Sequence, residues 1–163
     1  MKLRSSLILF AFLGISGCGY TVSTLLPAHI KTVAVPVFKN ETLEYGLEQE
    51  LTEILTRSII QDNHLRVTDE SRANSVVLGT IIGYENRVFG YNAREQVEEY
   101  QVAITVKVEF KDLVKNKQIW SDDLVGLTTY DVAGSQATTE QLGRRRALES
   151  IAIDVITRTV EGW

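Results

Sequence analysis

The clearest pattern in the sequence is a strict alternation of apolar and polar residues over positions 100–110. The apolar positions are Tyr100, Val102, Ile104, Val106, Val108 and Phe110. Because every second residue of a strand points to the same face, this segment predicts a β-strand with one buried and one wetter face. Lys115-Asn116-Lys117 predicts a turn after it, and residues 118–132 predict a returning strand that completes a hairpin.

Two other segments show the three- and four-residue spacing of amphipathic helices. The first covers residues 43–61, with apolar positions at Leu43, Leu47, Leu51, Ile54, Leu55 and Ile59. The second covers residues 148–163 and follows a polar start at residues 138–141 that suits helix capping. Apolar runs at 31–38 and 75–89 predict further strands, with Pro36 ending the first or placing it near an edge.

The predicted order of elements is β-α-β-β-β-α, with a short extended piece possible at residues 65–68. Each helix has one apolar stripe and the sheet has one apolar face, so these surfaces bury one another when the helices pack on the sheet. The predicted fold class is therefore an α/β (α+β) two-layer sandwich. It has a four-stranded mixed sheet and two helices packed on one face.

The N-terminus has the layout of a secretory signal. Lys2 and Arg4 precede nine largely apolar residues, 7–15, and the small residues Ser16 and Gly17 lead into Cys18. Nine residues form roughly 14 Å of helix at ~1.5 Å per residue, against a hydrocarbon core about 30 Å thick. This segment is too short to span a membrane as a helix.

The stretch Ile15-Ser16-Gly17-Cys18 resembles the lipobox of bacterial lipoproteins. The resemblance implies that the peptide is cut before Cys18 and that this residue carries several acyl chains, such as palmitate. One chain anchors a protein only marginally, whereas two or more give durable attachment. The alternative is a buried or unpaired free cysteine. Since Cys18 is the only cysteine, lipidation leaves no thiol for a disulfide, a zinc site or a nucleophile.

This interpretation divides the chain into a signal peptide at 1–17, a lipidated tether at 18–30 and a single domain at 31–163. The mature length is typical of one domain with a real hydrophobic core. The chain has 17 basic and 21 acidic residues, and the signal contains two of the basic ones and no acidic one. The mature net charge of −6 argues against a general nucleic-acid binder.

No catalytic motif is found in the sequence. His29 and His64 lack the spacing of metal sites, and glycine-rich nucleotide loops and a nucleophile elbow are absent. The acidic pairs at 98–99 and 122–123 are adjacent, so their side chains point to opposite faces of a strand. We expect no enzymatic activity and no cofactor or metal.

Two basic clusters near predicted strand ends are candidate phosphate contacts. Arg87 and Arg94 flank an aromatic, glycine-containing segment at 88–91, and Lys115 and Lys117 lie near Lys111 at the next hairpin. Arginine binds phosphate with a bidentate fork and lysine binds it as a point charge. The alternative for both clusters is ordinary solvated charge. Residues 144–146, three arginines, are a third candidate, with helix-surface salt bridges as the alternative.

Several short motifs follow one another along essentially the whole mature chain: Cys18-Gly19-Tyr20, the first strand's end at 37–42, the helix opening at 46–52, Glu99-Tyr100, Ile119-Trp120 and the terminal Trp163. Their order resembles that of the LptE family of lipopolysaccharide-assembly lipoproteins. This resemblance implies a non-enzymatic lipoprotein on the periplasmic side of the outer membrane. In that family the lipoprotein occupies the lumen of the β-barrel LptD, helps it fold and binds lipopolysaccharide.

Under this resemblance, Arg87, Arg94, Lys115 and Lys117 are the candidate lipopolysaccharide contacts. Two other classes stay open. The first strand and the residues after it, 33–42, also resemble lipoproteins that activate peptidoglycan synthases and lipoproteins of the curli-secretion pore. A small-ligand or glycan-binding lipoprotein would use exposed aromatics, for which Phe89 and Tyr91 are the nearest candidates.

Overall fold

The computed structural model describes residues 26–131 and 140–160. The two helices are α1, Leu47–Asp62, and α2, Glu140–Val160. The six strands are β1, Thr32–Ala34; β2, Lys39–Asn40; β3, Arg66–Val67; β4, Ser75–Tyr91; β5, Val97–Asp112; and β6, Lys117–Asp131. A single turn of 3-10 helix, Glu70–Arg72, precedes β4. Cys18, the predicted capping residues at 138–139 and Trp163 lie outside the described residues.

The strands form one mixed sheet in the order β3-β1-β4-β5-β6, with β2 also paired to β4. The pairings of β1 with β3 and β4, and of β2 with β4, are parallel, whereas β4, β5 and β6 are antiparallel neighbours. Both helices pack against the sheet, which confirms the predicted sandwich. The sheet has six strands rather than four because β2 and β3 contain two residues each, too few to produce a periodic pattern.

The first predicted strand is divided around Pro36. β1 ends at Ala34, which pairs with Val76, and the chain returns to the same strand β4 where Lys39 pairs with Thr80. Proline has no N–H to donate to a sheet ladder, so it lies in the gap between the two short strands. The expectation that the strand would end near Pro36 is confirmed.

The core lies between the sheet and the two helices. On β5 the even-numbered residues from Val102 to Phe110 are fully buried, as the alternation predicts. They contact the apolar stripes of the helices, which include Leu47, Leu51 and Leu55 of α1 and Leu148 and Ile151 of α2. Full burial of one such side chain stabilises the fold by about 1.5–3 kcal/mol. The opposite face of β5 carries polar and charged residues.

The predicted start of the first helix at Leu43 is wrong, because α1 begins four residues later at Leu47. Leu43 is 94% exposed. Asn40 holds the preceding loop in another conformation: its Oδ1 accepts from Thr42 N at 3.0 Å and its Nδ2 donates to Glu44 O at 2.7 Å. Gly46 then turns the chain into the helix with a φ of 83°, a conformation that favours glycine.

Gly126 of β6 allows a close approach between α2 and the sheet. A Cβ atom added at Gly126 would lie 2.2 Å from the backbone oxygen of Ala147. Gly79 of β4 makes room in the same way for the buried ring of Phe38. Between Ile81 and Gly83 the pairing with β5 slips by one residue, which forms a β-bulge.

Candidate functional site

The four predicted contact residues lie in two pairs at opposite ends of the sheet. Arg87 is in β4 and Arg94 is in the turn between β4 and β5, whereas Lys115 and Lys117 are at the turn between β5 and β6. These turns are separated by the 16 residues of β5, roughly 50 Å at about 3.3 Å per residue. The two pairs therefore cannot contact the same phosphate group, and each end has to be judged separately.

Arg87 is held by a neutral partner. Its Nε and Nη2 donate to Gln101 Oε1 at 3.2 and 2.7 Å, across the β4–β5 ladder where the two residues face each other. This contact orients the guanidinium without neutralising it. Arg87 is exposed and forms no ion pair with any residue that the structure describes. An oriented, uncompensated guanidinium suits an incoming anion.

Arg94 lies at the tip of a tightly organised turn. Asn92 Oδ1 accepts hydrogen bonds from Arg94 N at 2.9 Å and Gln96 N at 3.1 Å, and Asn92 N donates to Gln96 O at 2.9 Å. Glu95 adopts a φ of 60°, a left-handed conformation that completes the turn. The side chain of Arg94 is exposed, and the same hairpin carries Glu95, Glu98 and Glu99. The tip is therefore mixed in charge.

Exposed apolar side chains accompany the two arginines. At the end of β4, Val88, Phe89 and Tyr91 are 38, 55 and 65% exposed. Here β4 extends past the core, and the pairing with β5 shifts on both sides of Gly90. Scattered exposed apolar residues are ordinary, but apolar and cationic side chains on one hairpin match the two halves of an anionic lipid. We call this surface, residues 87–94, the arginine hairpin.

The other end of the sheet is organised by a buried carboxylate. Asp112 is 3% exposed; its Oδ1 accepts from Val114 N at 2.9 Å and Lys115 N at 3.0 Å, and its Oδ2 lies 2.7 Å from His29 Nε2. Burial acts to raise the pKa of this carboxyl, but the hydrogen bonds from Lys115 N, His29 and Val114 N outweigh it and hold the pKa below its usual range. Asp112 is therefore ionised and fixes the turn that carries Lys115.

Lys115 and Lys117 are both exposed, and the structure places neither beside an anion-binding cavity. Lys111, which the sequence groups with them, lies within β5 instead and forms an ion pair with Glu109 at 2.6 Å. The Asp112–His29 contact joins residues 83 positions apart and is structural. Of the two predicted pairs, the arginine hairpin has the better geometry for lipid.

Two of the three arginines at 144–146 form salt bridges, which was the alternative to a phosphate contact. Arg144 Nη1 donates to Glu44 Oε1 at 2.7 Å, and its Nε lies 3.4 Å from a Glu50 carboxylate oxygen. Arg145 forms an ion pair with Glu149 one helical turn away, at 3.3 Å. The contacts of Arg144 tie α2 to α1 and to the loop before it, whereas the Arg145 ion pair lies within α2.

Within residues 26–131 and 140–160, no group of three or more metal-ligating side chains is close enough to hold an ion. Over the same residues, neither helix is both long enough and apolar enough to cross a bilayer. The only strongly raised pKa there is that of Tyr84, whose phenol is partly buried and donates to Glu140 Oε1 at 2.6 Å. This contact joins the sheet to the start of α2.

Comparison with known proteins shows the family of the chain. The sequence model of the LptE family, described as lipopolysaccharide-assembly, matches residues 30–159. The chain belongs to the LptE family. It is therefore a member of a family of envelope lipoproteins for lipopolysaccharide assembly, which is not a family of enzymes. Membership favours this role over the synthase activators and the curli-pore lipoproteins.

Solved structures share the fold of this LptE family member. PelC from Paraburkholderia phytofirmans, solved as a dodecamer, has a TM-score of 0.58 at 15% identity, covering 85% of this chain and 95% of that one. An uncharacterised lipoprotein B from Nitrosomonas europaea has a TM-score of 0.54 at 17% identity, covering 84 and 88%. A minor lipoprotein from Acinetobacter baumannii has a TM-score of 0.51 at 13% identity, covering 79 and 91%.

At these identities the likeness shows the fold alone. No protein with curated annotation matches the sequence. The site of this LptE family member must therefore be argued from its own residues. Sequence reasoning missed one feature of them: Lys39 and Lys107 lie in one row across the sheet, with Thr80 between them. The polar face of the alternating segment 100–110 showed Lys107, but only the register of β2 brings Lys39 to it.

Proposed function

We propose that the chain is an outer-membrane lipoprotein, anchored on the periplasmic side through Cys18, that plugs an LptD-like β-barrel and helps it assemble. In this proposal it also binds lipopolysaccharide on its way to the outer leaflet. Residues 1–17 serve as the signal peptide, 18–30 as the lipidated tether and 31–163 as the single domain. The observation that carries the proposal is the LptE family match over residues 30–159.

The test of the partner is a pull-down of the lipidated chain from its own envelope in a mild detergent. We expect one large outer-membrane β-barrel as the major partner, in a one-to-one ratio. A second outer-membrane lipoprotein with the same tag serves as the control and should not capture that barrel. Recovery of a peptidoglycan synthase, or of no stoichiometric partner, would contradict the proposed role as a barrel plug.

We assign the proposed lipopolysaccharide contact to the arginine hairpin, where Arg87 is oriented by Gln101 and has no counter-ion among the described residues. Charge reversal with Arg87→Glu and Arg94→Glu should weaken lipopolysaccharide binding roughly tenfold, because charge-assisted contacts become repulsion. Titration of the purified full chain with lipopolysaccharide in nonionic detergent measures the effect. Both side chains are exposed, so the far-UV circular dichroism spectrum should not change.

The matched control reverses two exposed arginines elsewhere, Arg57→Glu in α1 and Arg66→Glu in β3. This variant has the same net charge as the hairpin variant, so it corrects for the long-range field of the whole protein. An equal loss of affinity in both variants would show that only net charge matters. Unchanged binding in the hairpin variant would remove Arg87 and Arg94 from the site.

A further inference from the structure

A second cationic surface lies on the face of the sheet that carries no helix. It is a groove of about 380 Å³ bordered by β2, β4 and β5, and its charged residues are Lys39, Lys107, Lys111 and Glu109. A groove of this size is comparable to small-molecule sites, which range from about 300 to 1,000 Å³. It is distinct from the arginine hairpin. We call it the lysine groove.

The register of the sheet places two of the lysines on either side of a hydroxyl group. Lys39 pairs with Thr80, and Thr80 pairs with Lys107, so the three residues form one row across three strands. Residues directly opposite each other share a face, and Lys107 alternates with the buried residues of β5. With strands about 4.8 Å apart, the two lysine Cα atoms are separated by roughly 10 Å. A phosphate over Thr80 is within reach of both ammonium groups.

The charge of this row is compensated only in part by the described residues, because the Glu109 carboxylate interacts electrostatically with Lys107. Lys39 and Lys107 form no ion pair and no side-chain hydrogen bond with residues 26–131 or 140–160. Asp123 lies directly opposite Lys107 on β6, but the two side chains do not form an ion pair. Lys111 does have a partner, Glu109, at 2.6 Å. The hydrogen bond from Lys111 lowers the pKa of Glu109, so this carboxylate stays ionised as an acceptor.

One wall of the groove is apolar. Pro36 and Val37, in the gap between β1 and β2, lie beside Leu78 of β4, and Val37 is 64% exposed. An acidic peptide has no need of an exposed apolar wall next to paired lysines. A lipid whose head group carries phosphate and hydroxyl groups needs all three parts: cations, a carboxylate acceptor and an apolar border.

We propose that the lysine groove binds the phosphorylated sugar head group of a lipid. A phosphate lies over Thr80 between Lys39 and Lys107, Glu109 accepts hydrogen bonds from sugar hydroxyls, and Val37 contacts the start of an acyl chain. This inference deepens the proposed function, because lipopolysaccharide is the lipid of this chemistry that the protein would meet. It adds a contact far from the arginine hairpin.

The test compares two ligands with the full chain in nonionic detergent: lipopolysaccharide, and the same lipid after enzymatic removal of its phosphates. The double variant Lys39→Ala and Lys107→Ala should bind the phosphorylated lipid roughly five- to twenty-fold more weakly, and the dephosphorylated lipid as the parent chain does. Glucosamine 6-phosphate and inorganic phosphate, titrated separately while the Thr80 amide is followed by NMR, distinguish a sugar phosphate from free phosphate. A response to the sugar phosphate at lower concentration is expected.

The matched control is Lys31→Ala with Arg66→Ala, which removes two exposed charges beside β1 and in β3, outside the groove. It should leave binding within about twofold of the parent. Equal binding by the groove variant and the parent would overturn the groove while leaving the proposed function intact. An equal loss for the dephosphorylated lipid would overturn the phosphate contact.

Failure of the proposed function gives a different result. If the parent chain binds no lipopolysaccharide, the lipid role fails, and the NMR titration with the sugar phosphate still decides the groove. If the groove variant loses the barrel in the pull-down but keeps full lipid affinity, the groove contacts an acidic protein surface instead. That result would overturn the phosphate site.

Discussion

Gly126→Ala is expected to lower the free energy of unfolding by about 3 kcal/mol, or about 10 °C in melting temperature. The new Cβ would lie 2.2 Å from the carbonyl oxygen of Ala147 and 2.8 Å from its carbonyl carbon. Backbone cannot rotate away as a side chain can, so α2 would have to lift off β6. The buried residues that α2 contributes, such as Leu148 and Ile151, would lose contacts with β5. Urea unfolding followed by circular dichroism measures the change.

The matched control is Gly83→Ala on β4, which is separated from β6 by β5. There the nearest atoms to an added Cβ are Thr105 Cβ and Oγ1, both at 3.4 Å, an ordinary contact. The control should change the free energy of unfolding by less than about 1 kcal/mol. Similar losses in the two variants would show that strand flexibility, rather than the approach of α2, sets the requirement for glycine at 126.

Cys18→Ser is expected to abolish membrane anchoring altogether. A serine oxygen is a poor replacement for the thiol that receives the diacylglycerol group, so no acyl chains would be added and the lipoprotein-type cleavage before residue 18 would not occur. Loss of two or more chains removes the durable part of the membrane affinity, at about 0.8 kcal/mol per buried CH₂. Fractionation of cells and the intact mass of the purified protein measure both effects.

Ser16→Ala is the control for this variant, because it keeps a small residue next to Gly17 and leaves the cysteine in place. It should be acylated and fractionate with membranes as the parent chain does. A Cys18→Ser protein that is still acylated and membrane-bound would contradict the lipobox interpretation. The domain would then need another means of attachment.

The sequence predicts elements well where a regular apolar–polar period continues over a long segment. The hairpin of β5 and β6 is confirmed because six apolar residues alternate without a break, and one face had to be buried. The predicted start of α1 is wrong because Leu43 continues the helical spacing by chance. Hydrogen bonds around Asn40 and the left-handed Gly46 decide the real boundary, and these depend on local geometry that periodicity does not report.

The candidate site was predicted less completely, for a physical reason. Residue type identified Arg87 and Arg94 as able to bind phosphate, but not that Gln101 would orient the first of them. The pairing of His29 with Asp112 and the row from Lys39 to Lys107 join residues 83 and 68 positions apart. Such neighbours depend on strand register between distant segments, which a single sequence does not specify.

β4 and β5 extend beyond the core, so the free energy needed to open the hairpin differs between its exposed end and its helix-covered end. From Glu85 to Phe89 every residue of β4 is exposed, although residues 85–88 are paired one by one with β5. Opening this end breaks ladder bonds but uncovers little apolar surface, so it costs only part of the global free energy of unfolding. The hairpin can therefore fray and re-form while the helix-covered half stays folded. The apolar contacts that hold β4 and β5 in place therefore come from the helix-covered half, whereas the overhang contributes mainly backbone hydrogen bonds.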